Sequence, residues 1–311
     1  MPGPIDLSGM VPPEHSNQII AEAVQSSAAL TLGRRLPMGR AISELPVAGA
    51  FPTAAWTGPN GRKPYTDLAL SSETLKAEEV AAVVSVPDRY FEDSTINIWA
   101  YARPLLAEAI GAALDDATIW GLNAPASFPA GGVVGAATRT ATGSDAADTV
   151  NHAMGAVEAQ GLNVTGSAAD IAVKASLRGV RDQTGALLLG TEQTATRQIN
   201  TLYGSPISYV SFPVDSDEDF ITGDWQYLVI GVRQDIRFQL SRDGVIVDDD
   251  GRVVVSGFQD NQTLLKVWAR FGAAIVKPVT RRAPAGANPF AVTTVGALAT
   301  PPGTAVDEAG E

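Results

Sequence analysis

Phe51-Pro-Thr-Ala-Ala-Trp56, then Gly58-Pro-Asn-Gly-Arg-Lys-Pro64, then Thr74-Leu-Lys-Ala-Glu-Glu-Val80 and Ala81-Ala-Val-Val-Ser-Val86 lead straight into a long amphipathic stretch ending at Gly121. The first part predicts a hairpin over 51–87, because Asn60-Gly61 flanked by prolines is strong turn chemistry. A pair of strands is marginal in water, and this pair carries few large apolar groups. Something outside the hairpin must hold it. The second part predicts one helix, with Asp93-Ser94 as its N-cap. Its apolar residues Ile96, Trp99, Ala102, Leu106, Ala109, Ile110, Ala113, Leu114 and Ala117 recur every three or four positions. Gly121 stands where a left-handed residue ends a helix. Such a rod is about 40 Å long at its usual rise per residue. Pro104 lies inside it and cannot bond back to Ala100, so it either starts the main helix or kinks it.

The 311 residues, 45% of them apolar, are enough for one large domain or two subdomains with a real core. There is no Cys, which excludes disulfides and thiolate metal sites, and the two histidines, His15 and His152, lie far apart. No segment approaches the roughly 20 apolar residues of a membrane span, and the N-terminus has no secretory pattern. A cytoplasm-like compartment and no membrane partner are expected. The net charge of −12 argues against a dedicated nucleic-acid binder, since phosphate contacts need clustered Lys and Arg. The same charge suits a container wall that must not stick to its contents.

Residues 1–15 read as an extended arm, followed by a helix from Ser16 to Leu30 that stops at Gly33-Arg-Arg-Leu-Pro-Met-Gly39. After a Gly/Ala/Pro-rich connector over 125–143, Asp145 or Asp148 caps a helix through Val150, Met154 and Val157, stopped by Gly161. Ile171-Ala-Val-Lys174 reads as a buried strand, Ser176 to Asp182 as a short helix and Gly204 to Phe212 as another strand, which implies a small α/β subdomain. The last third is mostly strands: 227–232, 236–240, 251–255 and 264–276. From Arg281 onward the composition reads as a mobile tail.

Two histidines leave little for a nucleophile triad, and no His or Cys pair has metal-ligand spacing. Asp215-Ser-Asp-Glu-Asp219 begins like a calcium loop but has Phe220 and Gln226 where Gly and Glu belong, so it reads as a solvated acidic turn. Asp248-Asp-Asp-Gly-Arg252 reads as a hairpin turn. Asp115-Asp116 reads as facing solvent or a neighbour's Arg. Gly131-Gly132 lacks the context of a phosphate loop. No spacing singles out a carboxylate pair. Catalytic, cofactor and metal sites are therefore expected to be absent.

The order of parts resembles the major capsid proteins of tailed phages, with the α+β fold of the Hong Kong 97 type. The resemblance rests on Val11-Pro-Pro-Glu-His-Ser-Asn-Gln-Ile-Ile, Leu32-Gly-Arg-Arg-Leu-Pro-Met-Gly39, Asp93-Ser-Thr-Ile-Asn-Ile, Leu114-Asp-Asp-Ala-Thr-Ile-Trp-Gly121 and the strand Leu264 to Pro278 with Arg270-Phe-Gly and Val276-Lys-Pro278. Together these span about Pro12 to Pro278.

The resemblance implies an N-arm over 1–50, an E-loop hairpin over 51–87, and a P-domain with its spine helix over 88–130. It implies further an axial A-domain over 131–222, P-domain strands over 223–280 and a flexible tail over 281–311. It places Trp56, Asn60, Arg62, Lys63 and Tyr65 at the E-loop tip, against another subunit, and makes Pro104 and Gly111 hinges of the spine helix during shell expansion. Copies would form pentamers and hexamers of an icosahedral shell around double-stranded DNA held without specific binding, in the virion, after assembly in the host cytoplasm. The partners implied are a portal, a separate scaffolding protein or none, and a decoration protein in some members of the family. Relatives weld subunits through a Lys–Asn isopeptide bond assisted by a Glu. Lys63 and Asn261 occupy the two partner positions, but Trp268 stands at the carboxylate's, so no crosslink is expected. The rival readings are an encapsulin-type shell around an enzyme cargo and, more distantly, a soluble hydrolase using two carboxylates.

Overall fold

A computed structural model describes residues 27–52, 54–58, 61–63, 65, 70–90, 98–179, 189–194, 197–213, 216–248 and 250–296. The chain begins with α1 (Ala28–Leu32), β1 (Arg34–Pro37), β2 (Ile42–Ala48), β3 (Leu70–Lys76), β4 (Glu78–Pro87), α2 (Ile98–Asp115) and α3 (Gly132–Ala136). It continues with β5 (Thr138–Arg139), α4 (Ala146–Glu158), β6 (Gly166–Asp170), α5 (Val173–Gly179), β7 (Leu189–Thr194), β8 (Arg197–Leu202) and β9 (Ser205–Val210). It closes with β10 (Phe220–Gly223), β11 (Leu228–Ser241), β12 (Val245–Val247), β13 (Val253–Ser256), β14 (Gln262–Ile275) and β15 (Phe290–Thr293). Two compact units emerge. One comprises the chain up to Val47, Ser71–Gly135 and Leu228–Val276; the other comprises Ala48–Leu70, Ala136–Tyr227 and the chain from Lys277.

The first unit is a four-stranded sheet in the order β1-β11-β14-β4 with α2 packed on it. β11 and β14 run antiparallel for 14 residues each, joined beyond their ends by the short β12–β13 ribbon. Along α2 the buried residues are Leu106, Ala107, Ile110, Gly111, Leu114 and Asp115, one face at helical spacing. Ala109 and Ala113, which the sequence placed on that stripe, are exposed instead, because alanine's small apolar surface does not decide which way a helix turns. The helix widens into a π turn over Asp116–Trp120, where Thr118 Oγ1 donates to the Leu114 carbonyl at 2.7 Å, and ends at Gly121 in the left-handed conformation, φ 68°. A Cβ at Gly121 would lie 2.6 Å from the backbone of Gly131, so Gly131-Gly132 serves close packing.

The second unit is a seven-stranded mixed sheet, β5-β15-β10-β6-β9-β8-β7, covered by α4. Asp145 caps α4 by accepting from Asp148 N at 2.8 Å, and Val150, Ala153, Met154 and Val157 form the face packed with Phe220 and Ala291. Trp225 packs edge-on to Phe290, ring centroids 5.3 Å apart, and its indole N–H donates to the Gly166 carbonyl at 3.0 Å.

The structure departs from the sequence pattern in four places. The hairpin rises through Ile42–Ala48, which pairs with β3, and not through Phe51–Trp56; Pro46 is accommodated on the exposed side of β2. Its return breaks at Ala77: β3 stays in the ribbon, whereas β4 joins the four-stranded sheet along β14. The strand expected at Ile171–Lys174 lies earlier, at Gly166–Asp170, and Val173 already begins α5. Finally, the chain from Arg281 is not wholly a mobile tail, since Phe290–Thr293 is a fully buried strand between β10 and β5. The N-cap Asp93-Ser94 and Ile96 lie outside the described residues.

Candidate functional site: the surfaces offered to other subunits

The β2–β3 ribbon is seated at its root, and the described residues beyond the root are exposed. At its root, Leu75 is fully buried in a cluster with Met38, Ala77, Val229 and Ala274, and Leu45 packs against the same group. The root fits because Gly231 and Gly272, paired across β11 and β14, leave a flat place for it. A Cβ on Gly231 would lie 2.4 Å from Met38 Sδ, and one on Gly272 2.7 Å from the Lys76 carbonyl oxygen. Beyond the root the pattern inverts. Ile42, Phe51 and Leu70 are exposed, Tyr65 is 84% exposed, and Trp56 is fully exposed. Large aromatic groups in water forgo roughly 2 kcal/mol or more each that burial would return.

A second apolar surface lies on the first unit. Val245, Val247, Val253 and Val254 of the β12–β13 ribbon are exposed, and so is Phe258 just beyond it. Between this ribbon and the sheet runs a groove of about 370 Å³, lined by Val83, Gln239, Val245, Val247, Leu264 and Lys266. Contiguous apolar surface of this kind marks protein contact sites. Valines flanking Asp248-Asp-Asp-Gly-Arg252 were visible in the sequence, but nothing there said that both sides of the ribbon would be wet.

The expected site residues divide. Trp56, Arg62, Lys63 and Tyr65 are all exposed, while Asn60 lies outside the described residues. Pro104 sits within α2, half-buried, and neither starts nor breaks the helix; Gly111 is buried on its packed face. Asn261 is exposed in the left-handed conformation, φ 49°, its carbonyl accepting from Asp88 N at 2.9 Å. Trp268 is half-buried on β14, with the Lys266 ammonium 5.1 Å from its ring centroid. Its indole N–H meets the Gln234 amide oxygen at 3.0 Å once that amide is oriented to accept. The position is thus filled by a packed, hydrogen-bonded aromatic with no acid–base capacity.

The acidic segments turn out to be structural. Asp219 accepts from Val295 N and Gly296 N at 2.6 and 2.8 Å, and Glu218 pairs with Arg139 at 2.7 Å, so this turn fastens the chain after β15. Burial pushes the Asp219 carboxyl up, partly offset by those backbone donors. Asp248 closes the β12–β13 turn by accepting from Arg252 N at 2.7 Å. Asp115, expected at solvent or a neighbour, is buried against its own chain. Among the described residues no group of three or more His, Cys, Asp or Glu is placed to hold a metal ion.

A chain with a long central helix, a ribbon seated on a flat glycine pair and exposed aromatics at its tip has the build of a shell subunit. The sequence pattern of the phage capsid family matches residues 8–279. The chain belongs to that family. This capsid subunit is 25% identical over 240 residues to the "Probable major capsid protein gp17" of Mycobacterium phage L5, covering 72% of this chain and 73% of that one. Among solved structures it is similar to a chain of Microbacterium phage Oxtober96, with 27% identity, TM-score 0.69, and 86% of this chain and 91% of that one covered. A chain of Mycobacterium phage Cain gives 26% identity and TM-score 0.71 over 87% and 90%. One of Mycobacterium phage Adephagia gives 23% identity and TM-score 0.71 over 97% and 100%, a likeness of fold. The capsid subunit has the α+β Hong Kong 97 type of fold, and its working form is a virion shell of many copies.

Proposed function

We propose that the chain is the major capsid protein of a tailed phage, forming the pentamers and hexamers of an icosahedral shell around double-stranded DNA. The observation that carries this reading is the ribbon whose root is buried and whose far end holds Trp56 and Tyr65 in water. In this reading the E-loop spans Ile42–Lys76, the remainder of the first unit is the P-domain and the remainder of the second the axial A-domain. The protein works by geometry, without catalysis, and each modest contact gains from repetition around the shell. Assembly takes place in the host cytoplasm with a separate scaffolding protein and a portal, and a decoration protein finds the outer surface. The DNA is enclosed without specific binding, since a subunit of net charge −12 repels phosphate.

Electron microscopy of the protein expressed alone and with its genomic neighbours is expected to show shells with five- and six-fold capsomers. A small discrete oligomer under both conditions would contradict the reading, and shells that co-purify with an enzyme cargo would turn it toward a nanocompartment. Lys63 and Asn261 remain unlinked in this reading, because Trp268 cannot take a proton from the ammonium. Denaturing gels of mature shells should therefore show the monomer band, and a ladder of covalent multimers would overturn that part.

A further inference from the structure

Leu264 and Lys266 of β14 form the floor of the groove beside the β12–β13 ribbon. Further along β14, Leu265, Val267, Ala269 and Phe271 are buried, so Lys266, Trp268 and Arg270 stand on the opposite face of the sheet. The register sets Arg237 of β11 beside Trp268 and Gln239 beside Lys266, with Val83 of β4 on the other side of Lys266. The result is a short band of cations around an indole ring, continuous with the apolar groove walled by Val245 and Val247.

The central cations of this band have no acid of their own. The Lys266 ammonium lies 5.1 Å from the Trp268 ring centroid, and Arg237 Nε donates to the Gln234 amide oxygen at 3.3 Å once that amide is oriented to accept. Among the described residues neither is within ion-pair distance of a carboxylate, although the chain has 34 acidic residues against 22 basic ones. The acids that flank the groove in sequence are engaged in their own turn: Asp248 accepts from Arg252 N at 2.7 Å, and Asp250 lies 3.8 Å from the Arg252 guanidinium. Arg270 has Glu79 as its register partner, which leaves Arg237 and Lys266 as the open pair.

We propose that the groove and this cation pair receive the acidic segment 297–311 of a neighbouring copy of the chain. No Lys or Arg lies beyond Arg282, and Val306-Asp-Glu308 puts an apolar side chain next to two carboxylates, with Glu311 close behind. One short stretch thus supplies both halves of the site, Val306 for the valine-lined groove and the acids for Lys266 and Arg237. Extended, the segment reaches up to about 50 Å, enough to cross to a neighbour.

Other occupants fit less well. The ribbon tip of another copy has the wrong sign, since Arg62 and Lys63 are the only charged residues between Leu45 and Thr66. Nucleic acid offers a phosphate backbone with nothing apolar for Val245 and Val247, and so few cations hold it weakly at physiological salt. Residues 1–26 spread three acids, Asp6, Glu14 and Glu22, over a longer stretch. Exposed ion pairs are individually weak, so the contact is modest in a single pair of copies and gains from repetition.

Fluorescence anisotropy of a labelled peptide of residues 297–311, titrated with dilute full-chain subunits, tests this. Saturable binding is expected, weakened about tenfold or more by Lys266→Glu or by Val247→Asp. A peptide carrying Asp307→Lys and Glu308→Lys should lose binding to the wild-type subunit and regain it on Lys266→Glu, a rescue that loss of fold does not imitate. No saturable binding up to about 1 mM peptide, or binding that both subunit variants leave unchanged, would overturn the proposal. Should the subunit variants fail to fold, the peptides alone decide, and a charge-reversed peptide that binds the wild type as well as the native one would overturn it equally. A peptide of residues 1–26, or a single-stranded DNA, that binds this groove more tightly than residues 297–311 would give it to another occupant and likewise overturn the proposal. The contact needs copies side by side and so rests on the shell reading, but the titration is made on subunits and fails or succeeds apart from shell formation.

Discussion

The seven-stranded unit and the β2–β3 ribbon are built from similar residues but treat them in opposite ways. In the former, Phe220, Trp225 and Phe290 are fully buried and α4 closes over the sheet from the same chain. In the latter, among the described residues only Leu75 and its neighbours at the root are buried, and Trp56, Phe51 and Tyr65 are exposed. One region completes its core internally, and we propose that the other completes its core against neighbouring copies of the chain. The second arrangement is unstable as a free hairpin and sensible as one member of a closed array.

Mutations can break or sharpen this contrast. Phe220→Ala should have the largest effect, about 3–5 kcal/mol of subunit stability in denaturant unfolding, because it opens a cavity under α4. A loss below about 1 kcal/mol would mean that the unit is not closed by its own chain. Gly272→Ala acts at the border between the two regions. Its Cβ would meet the Lys76 carbonyl oxygen, so a loss of about 1–3 kcal/mol is expected, with greater exposure of Leu75 to proteolysis after the ribbon root lifts.

Pro104→Ala restores a backbone donor inside α2 and should stabilise the subunit by about 1 kcal/mol. We propose Pro104 and Gly111 as hinges, so the same variant should change the rate of the immature-to-mature shell transition. An unchanged rate would remove Pro104 from that role. Trp56→Ala is expected to shift subunit stability by less than about 0.5 kcal/mol, since the side chain touches little of its own chain, and yet to lose shell formation. A large drop in the stability of the isolated subunit would contradict the exposed placement.

Much of the fold was legible where one residue type carries one meaning. Gly121 ended the helix, Asp145 capped α4, and Asp250-Gly251 turned the β12–β13 ribbon, each for the local reason read from the sequence. Reading failed where burial does not need bulk. Gly166-Ser-Ala-Ala-Asp170 is a central strand made of small side chains, so a search for large apolar residues passed over it. Phe290–Thr293 was hidden in an Ala/Pro/Gly-rich stretch, and its strand character comes from partners far away in sequence, β10 and β5. Asp115 was invisible for the opposite reason. A carboxylate near a helix end is usually solvated, and only the long-range return of Ser27 to Ala29 gives it a buried task. At the tip, the identity of the exposed residues was legible, but the true rising strand, which accommodates Pro46 on its exposed side, was not.

A shell of this chain requires the ribbon tip to find its core in other copies. Hydrogen exchange of residues 48–70, compared between dilute subunits and assembled shells, tests this most directly. Near-random-coil exchange in the free subunit and strong slowing in the shell are predicted. Equal protection in both states would show that the chain covers the tip itself, and the account would be wrong.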